Sequence, residues 1–187
     1  IYNPKESKMI VIILNGYPES GKDEMIKIAE KKYKIIHHST IDVCKEICRS
    51  LGWDGEKDDK SRKMLVDLKK WYVEHFDGVY KDFIKSLEWY NFSIMDKPDF
   101  FFVVTREGNE INRIKKWCVY KGIPCVYVFM VRDGSIRDYG NTSDNNVMMG
   151  PQPDIYLSNN GSLEVLRASV NTTLSNIFSA NTPRLSK

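Results

Sequence analysis

Apolar positions along this chain come in blocks whose period switches back and forth. Residues 9–14 are a run of β-branched and other apolar side chains, met at once by Gly16, Pro18 and Gly21. So short a run with that composition predicts a buried parallel strand that enters a tight loop. From 22 to 32 the apolar positions Met25, Ile26 and Ala29 recur at helical spacing, and 33–37 offers a second short strand. Ser39 and Asp42 stand at capping-box spacing ahead of Val43, Ile47 and Leu51, so a helix over 41–51 is expected, stopped by Gly52.

The stretch 52–60 is rich in Gly, Asp and Lys and reads as an exposed loop. Beyond it, Met64, Leu65, Leu68, Trp71 and Tyr72 mark one amphipathic helix, and Val79, Phe83, Leu87 and Tyr90 mark the next. Residues 100–105 predict a third buried strand, Ile111, Ile114 and Cys118 a helix closed by Gly122, and 124–131 a fourth strand. A polar loop over 132–153, a strand at 155–157, a turn at Asn160-Gly161 and a last helix carrying Leu163, Leu166, Val170, Leu174 and Ile177 complete the alternation.

Strands alternating with helices need right-handed crossovers, which gives a three-layer α/β fold around a parallel five-stranded sheet. A single domain is expected over 9–178, with a helical insertion at 41–91 too long for a simple crossover. Residues 1–8 are expected to be a remnant outside the domain, with Met9 the natural start, and 179–187 a frayed tail. Trp71, Tyr72, Phe83, Trp89 and Tyr90 are expected to fill the core of the insertion.

Composition narrows the class. At 42% hydrophobic and 28% charged in 187 residues, the chain can bury one core. A mean hydropathy of −0.43, with no apolar run near the ~20 residues a membrane helix needs, argues against a membrane partner. A net charge of +3 is too small to argue for nucleic acid, although it suits an anionic small substrate. The doublets Lys31/Lys32, Lys69/Lys70 and Lys115/Lys116 are interspersed with acids and read as solvated faces. Cys44, Cys48, Cys118 and Cys125 form no CxxC pair and have no His at ligand spacing, which predicts reduced, buried thiols in a cytoplasmic protein.

The chemistry is concentrated at Gly16-Tyr-Pro-Glu-Ser-Gly21-Lys22, which fits G-x-x-x-x-G-K between a predicted strand and a predicted helix. Glycine-permitted backbone lets consecutive N–H groups wrap phosphate oxygens, and the helix N-terminus adds positive potential. Gly16, Glu19, Ser20, Gly21, Lys22, Asp23 and Glu24 are the candidate nucleotide-binding residues, with Lys22 supplying full charge toward the β- and γ-phosphates. Asp23 replaces the usual Ser or Thr for Mg²⁺. It either approaches the metal, through water or directly, or faces away as a first-turn helix residue.

Gly-Lys-Asp at this loop resembles a subgroup of P-loop kinases that includes phage deoxynucleoside monophosphate kinases and phosphomevalonate kinases. Members often continue with Thr, where this chain has Glu24. His38-Ser39-Thr40-Ile41-Asp42 resembles the segment of adenylate-kinase-like enzymes that opens the monophosphate-binding region. That resemblance places Thr40 near the acceptor base, and Lys45 where the family keeps an Arg on the acceptor phosphate. Ser39 as a plain N-cap with Lys45 on a solvated face is the other reading. Gly52-Trp53-Asp54-Gly55 and Ser61-Arg62-Lys63 are similar to bacterial and phage nucleotide kinases, which implies a phosphate or base contact for Arg62.

Arg106 ends the third strand, where ligands gather in open α/β sheets. Its position is similar to that of an acceptor-phosphate Arg in the same family, although Val103-Val104-Thr105 replaces the Gly-Phe-Pro that precedes it there, and Phe102 replaces a metal-linked Asp. Arg106 could equally pair with Glu107 or Glu110. Arg132 and Arg137 leave the fourth strand into a loop that resembles a short lid over the donor nucleotide, or is a plain surface loop; Asp144 within it has no assigned role.

The resemblance spans residues 9–178 and implies a nucleoside or deoxynucleoside monophosphate kinase, with sheet order 2-3-1-4-5. ATP and Mg²⁺ are the implied cofactors and a nucleoside monophosphate the implied partner, with a homodimer left open. The catalytic set is then Lys22, Arg106, Arg132 and Arg137; the acceptor set is Ser39, Thr40, Lys45, Arg62 and Arg106; and Asp23 is the metal candidate. The alternatives are a nucleotide-binding regulatory or structural protein with weakened turnover, and a P-loop kinase with a non-nucleotide acceptor.

Overall fold

The computed structural model describes residues 9–56, 58–92, 97–135 and 150–181. Five parallel strands form one sheet: β1 (Ile10–Gly16), β2 (Ile35–Ser39), β3 (Phe100–Val104), β4 (Cys125–Val131) and β5 (Ile155–Ser158). Their spatial order is β2-β3-β1-β4-β5, the order the resemblance implies. Pairing of Ile10 with Phe100 and of Gly16 with Met130 fixes β1 in the middle, so its carboxyl end opens at the centre of the sheet edge.

Six helices are described. Helix α1 (Lys22–Glu30) and α6 (Leu163–Asn181) cover one face; α2 (Asp42–Ser50), α3 (Asp59–Phe76), α4 (Gly78–Phe92) and α5 (Gly108–Lys121) complete the fold. The apolar run of β1 is explained by this two-sided cover. Ile10, Ile12 and Leu14 join Met25, Ala29, Val170 and Leu174, whereas Val11 and Ile13 join Phe83, Leu87, Ile111 and Ile114. Parallel strands buried on both faces lose the in–out alternation, and each such side chain contributes about 1.5 to 3 kcal/mol of apolar transfer. The last helix extends to Asn181 where a tail was expected from 179.

Several local expectations are corrected. Ser39 does not cap α2: it is the last residue of β2, and the N-cap is Ile41, with no side-chain bond. Only the return half of a capping box forms, the Ser39 N–H donating to Asp42 Oδ2 at 2.9 Å. Within the insertion, α4 brings Phe83 and Leu87 into the core cluster beside the sheet, and Val79 on the same helix is buried too. Helix α3 lies outside it with no fully buried apolar side chain, and Trp71 and Trp89 are 49% and 74% exposed instead of forming core. Tyr72 and Tyr90 are half-buried.

Lys69 departs from its solvated neighbours, with only 13% of its side chain exposed and its ammonium in an ion pair with Glu107. Cys44, Cys48 and Cys118 are buried and Cys125 half-buried, all four as free thiols. No helix among the described residues is long and apolar enough to cross a membrane.

Candidate active site

The loop between β1 and α1 is built by two glycines in conformations that favour glycine. Gly16 has φ 145°, and a Cβ there would stand 2.6 Å from the Met130 carbonyl and 2.7 Å from Ser20 Oγ. Gly21, at φ 101°, would place a Cβ 2.3 Å from the Asn159 amide nitrogen. Gly21 caps α1 without a side chain, so the first-turn N–H groups stay available to an anion. Glu19, at φ 63°, turns the loop in the left-handed region.

Lys22 is folded across this loop. Its Nζ donates to the carbonyls of Gly16 and Tyr17, both at 2.7 Å, and lies 3.4 Å from Ser20 Oγ. Burial, then the nearby Arg106 guanidinium, pull its ammonium down to about 7 against the opposing pull of Asp23.

Residues from later in the chain brace the loop from behind. The Asn159 side chain donates to the Ser20 carbonyl at 2.9 Å, and the Asn159 N–H to the Val131 carbonyl at 2.8 Å. Arg132 donates to the Glu19 carbonyl at 3.3 Å, and Asn160 accepts from the Asp133 N–H at 2.7 Å. At the base of the loop, Asn15 donates to the Tyr127 hydroxyl at 3.0 Å and accepts from the Gly16 N–H at 2.7 Å. Of these bracing side chains the sequence reading had singled out Arg132, as a candidate lid residue, and Asn160, as part of a turn, but neither Asn15 nor Asn159.

A second group lies at the carboxyl ends of β2 and β3. Thr40 is buried, its N–H continuing the β2–β3 ladder to the Val104 carbonyl at 3.1 Å. Lys69 from α3 donates to Thr40 Oγ1 at 3.1 Å and to Glu107 Oε1 at 2.7 Å, and its Nζ is 3.9 Å from Glu110 Oε2. Glu107 Oε2 lies 3.2 Å from Thr105 Oγ1 and accepts from the Arg106 N–H at 3.3 Å, so the Glu107 carboxylate reaches Arg106 through the backbone. Burial opposes its charge, but the Lys69 ammonium outweighs it and holds the Glu107 carboxyl below its ordinary range. Burial and the Glu107 charge push the Glu110 carboxyl up, against the pull of Lys69.

The remaining expected residues are more peripheral. Lys45 is held by Asp42 at 2.9 Å, three residues back on α2. Arg62 is exposed in the first turn of α3, whose N-cap Asp58 accepts from the Ser61 N–H at 2.7 Å. Trp53 of the Gly-Trp-Asp-Gly segment donates to Ser61 Oγ at 3.0 Å, pinning that loop to the start of α3. Arg137 and Asp144, with most of the expected lid, lie outside the described residues.

Asp23 is exposed on the first turn of α1, and Glu24 half-buried. Among the described residues no three His, Cys, Asp or Glu side chains converge on a metal-sized site. Asp23 is the exposed carboxylate on the turn that follows the glycine loop.

No protein-family model matches the chain, and no curated protein matches it. Solved structures do. The protein APE1195 is 12% identical, with 93% of this chain and 97% of that one covered at a TM-score of 0.52. A candidate kinase from Chloroflexus aurantiacus is 13% identical over 91% of this chain and 98% of its own, at 0.51. The APS kinase CysC of Mycobacterium tuberculosis, solved with AMPPNP and APS, covers 91% of this chain and 99% of its own at 12% identity and a TM-score of 0.49. With APE1195 and the Chloroflexus protein the chain shares a fold, here a five-stranded parallel sheet with helices on both faces.

Proposed function

We propose that this chain transfers the γ-phosphoryl group of ATP to a nucleoside or deoxynucleoside monophosphate. The observation that carries the reading is the parallel pairing of β1 with β3, which brings Arg106, just past the end of β3, to the same carboxyl edge of the sheet as the glycine loop that Lys22 crosses. Cations gathered at that edge suit an anion between them, and a phosphoryl group passing from donor to acceptor is such an anion.

In this reading the loop N–H groups and Lys22 bind the donor phosphates, and Arg106 binds the acceptor phosphate. Lys22 then moves from the Gly16 and Tyr17 carbonyls to the γ-phosphoryl oxygens as their charge develops. Arg132, tied to the Glu19 carbonyl, borders the donor side. Thr40, Ser39, Lys45 and Arg62 border the acceptor side, Arg62 and Lys45 as long-range charges. Asp23 would be the carboxylate that holds a Mg²⁺ ion through its waters, and the ion would supply charge neutralisation to the donor phosphates. Four free cysteines suit the reducing cytoplasm, where both nucleotides are found.

An alcohol acceptor is the second reading, because a hydroxyl needs a base and Glu107 adjoins Arg106. Both oxygens of Glu107 are already taken up by Lys69, Thr105 and the Arg106 N–H, which favours the monophosphate. Steady-state transfer from ATP to a panel of ribo- and deoxyribonucleoside monophosphates, with phosphorylated alcohols alongside, tests this. Turnover of at least one nucleotide with saturable acceptor kinetics is expected. Turnover of the alcohols alone, or ATP binding without transfer to any acceptor, overturns it.

A further inference from the structure

The buried cluster around Lys69 is not needed to hold a nucleotide, yet it joins three elements. Lys69 comes from α3 in the helical insertion, Thr40 from the end of β2, and Glu107 from the turn between β3 and α5, thirty-eight residues from Lys69 in the chain. Among the described residues, the α3 ammonium that reaches the turn is the one Lys69 provides, through a 2.7 Å contact with Glu107.

Its hydrogen inventory is informative. Thr105 Oγ1 lies within hydrogen-bonding distance of carboxyl oxygens of both Glu107 and Glu110, but a hydroxyl carries one proton. The Thr105 hydroxyl gives that proton to Glu110, its closer partner, and the hydrogen bond between the Glu107 and Glu110 side chains then needs a proton on one of the two carboxyls, which burial places on Glu110. Glu110 is then a neutral carboxylic acid, 6% exposed, and Glu107 is the single carboxylate opposite the single ammonium of Lys69. The other charged or titratable groups that act on the cluster are Arg113 one turn along α5 and the Cys44 thiol on α2, while Arg106 meets it through its backbone N–H.

We propose that Glu107 is a positioning residue for the acceptor: its carboxylate clamps the turn that carries Arg106 and ties that turn through Lys69 to the helical insertion. This rests on the reading of Arg106 as the acceptor-phosphate ligand. One oxygen of Glu107 holds the Arg106 backbone N–H while the other holds α3, so Arg106 takes its place only when the insertion is docked. The acceptor site and the element that covers it are in this way assembled together, with no contact from Glu107 to substrate.

The test is made on the full chain with Glu107→Gln, Lys69→Met and Lys69→Arg. Glu107→Gln and Lys69→Met are expected to raise the acceptor KM by about 10-fold or more, the loss of a charge-assisted contact, with ATP KM nearly unchanged. Lys69→Arg recovers part of this because the charge survives. Hydrogen–deuterium exchange of the unliganded chain supplies a reading that needs no substrate: in Glu107→Gln, α3 and the turn at 105–110 lose protection together. Loss confined to the turn, or equal loss of ATP and acceptor binding, overturns the tie. Joint loss of protection in a protein that phosphorylates no monophosphate leaves the tie standing and overturns the acceptor reading instead.

Discussion

Asn159, just beyond β5, donates its side-chain amide to the carbonyl of Ser20 at 2.9 Å, from 139 residues further along the chain. The same amide nitrogen stands where a Cβ on Gly21 would have to go. The glycine loop is thus pressed into shape from outside as well as permitted by its own glycines. Asn159→Ala is expected to weaken ATP binding about 2- to 12-fold, the value of one neutral hydrogen bond at ~0.5 to 1.5 kcal/mol. Calorimetric titration with ATP checks it; an unchanged affinity would mean that the loop holds its form alone.

Lys22 carries a pH signature. Its ammonium titrates near 7 in the unliganded fold against an ordinary 10.5, so between these values the unfolded chain holds more protons and stability rises with pH. Phosphate restores the charge, so ATP binding is expected to take up protons in that window, and affinity to fall as pH rises through it. Calorimetry in buffers of different ionisation heat reads the proton count directly. Lys22→Met should remove both the uptake and measurable transfer while the fold survives.

Asp23→Asn is expected to shift the Mg²⁺ midpoint of activity upward while leaving metal-free ATP binding nearly unchanged, because the carboxylate is exposed beside the loop. Activity titrated with Mg²⁺ decides this. An unmoved midpoint would make Asp23 a helix-start residue acting through the dipole alone.

Arg106→Ala should raise the monophosphate KM and lower kcat, with roughly 10- to 150-fold lost in kcat/KM from ~1.5 to 3 kcal/mol. Arg106→Lys recovers only part, since a point charge replaces a fork. Loss of ATP affinity with the acceptor KM spared would exchange the donor and acceptor assignments.

The neutral form of Glu110 is visible spectroscopically. Carboxyl ¹³C shifts of labelled protein should show one glutamate titrating above the ordinary range, absent in Glu110→Gln. Its raised position means that stability declines as pH rises from the ordinary glutamate range toward its folded value, and Glu110→Gln should flatten that decline. A wild-type spectrum with every glutamate ionised at neutral pH would remove the shared proton.

The sheet and the loop were legible because both are local: a β-branched run, then Gly16, Gly21 and Lys22 within a few residues. The order of the strands came from resemblance. Periodicity on α3 named an apolar face without saying what covers it, and so Trp71 was expected inside although it lies in solvent. Lys69 looked like one of a solvated pair because its partners, Thr40 and Glu107, reach it only through packing. Asn159 was invisible for the same reason: a side-chain amide becomes a brace only once β5 lies beside β4.

The central place of β1 also constrains how the protein is made. Its neighbours in the sheet begin at Phe100 and Cys125, and the amide that braces its loop is at 159. During synthesis the first strand leaves the ribosome with neither neighbour made, so its apolar run stays exposed until much of the chain has followed. A nascent chain halted before residue 159 would lack the brace on a loop translated 139 residues earlier. Nucleotide capture by such stalled chains should therefore appear abruptly once residue 159 has left the ribosome.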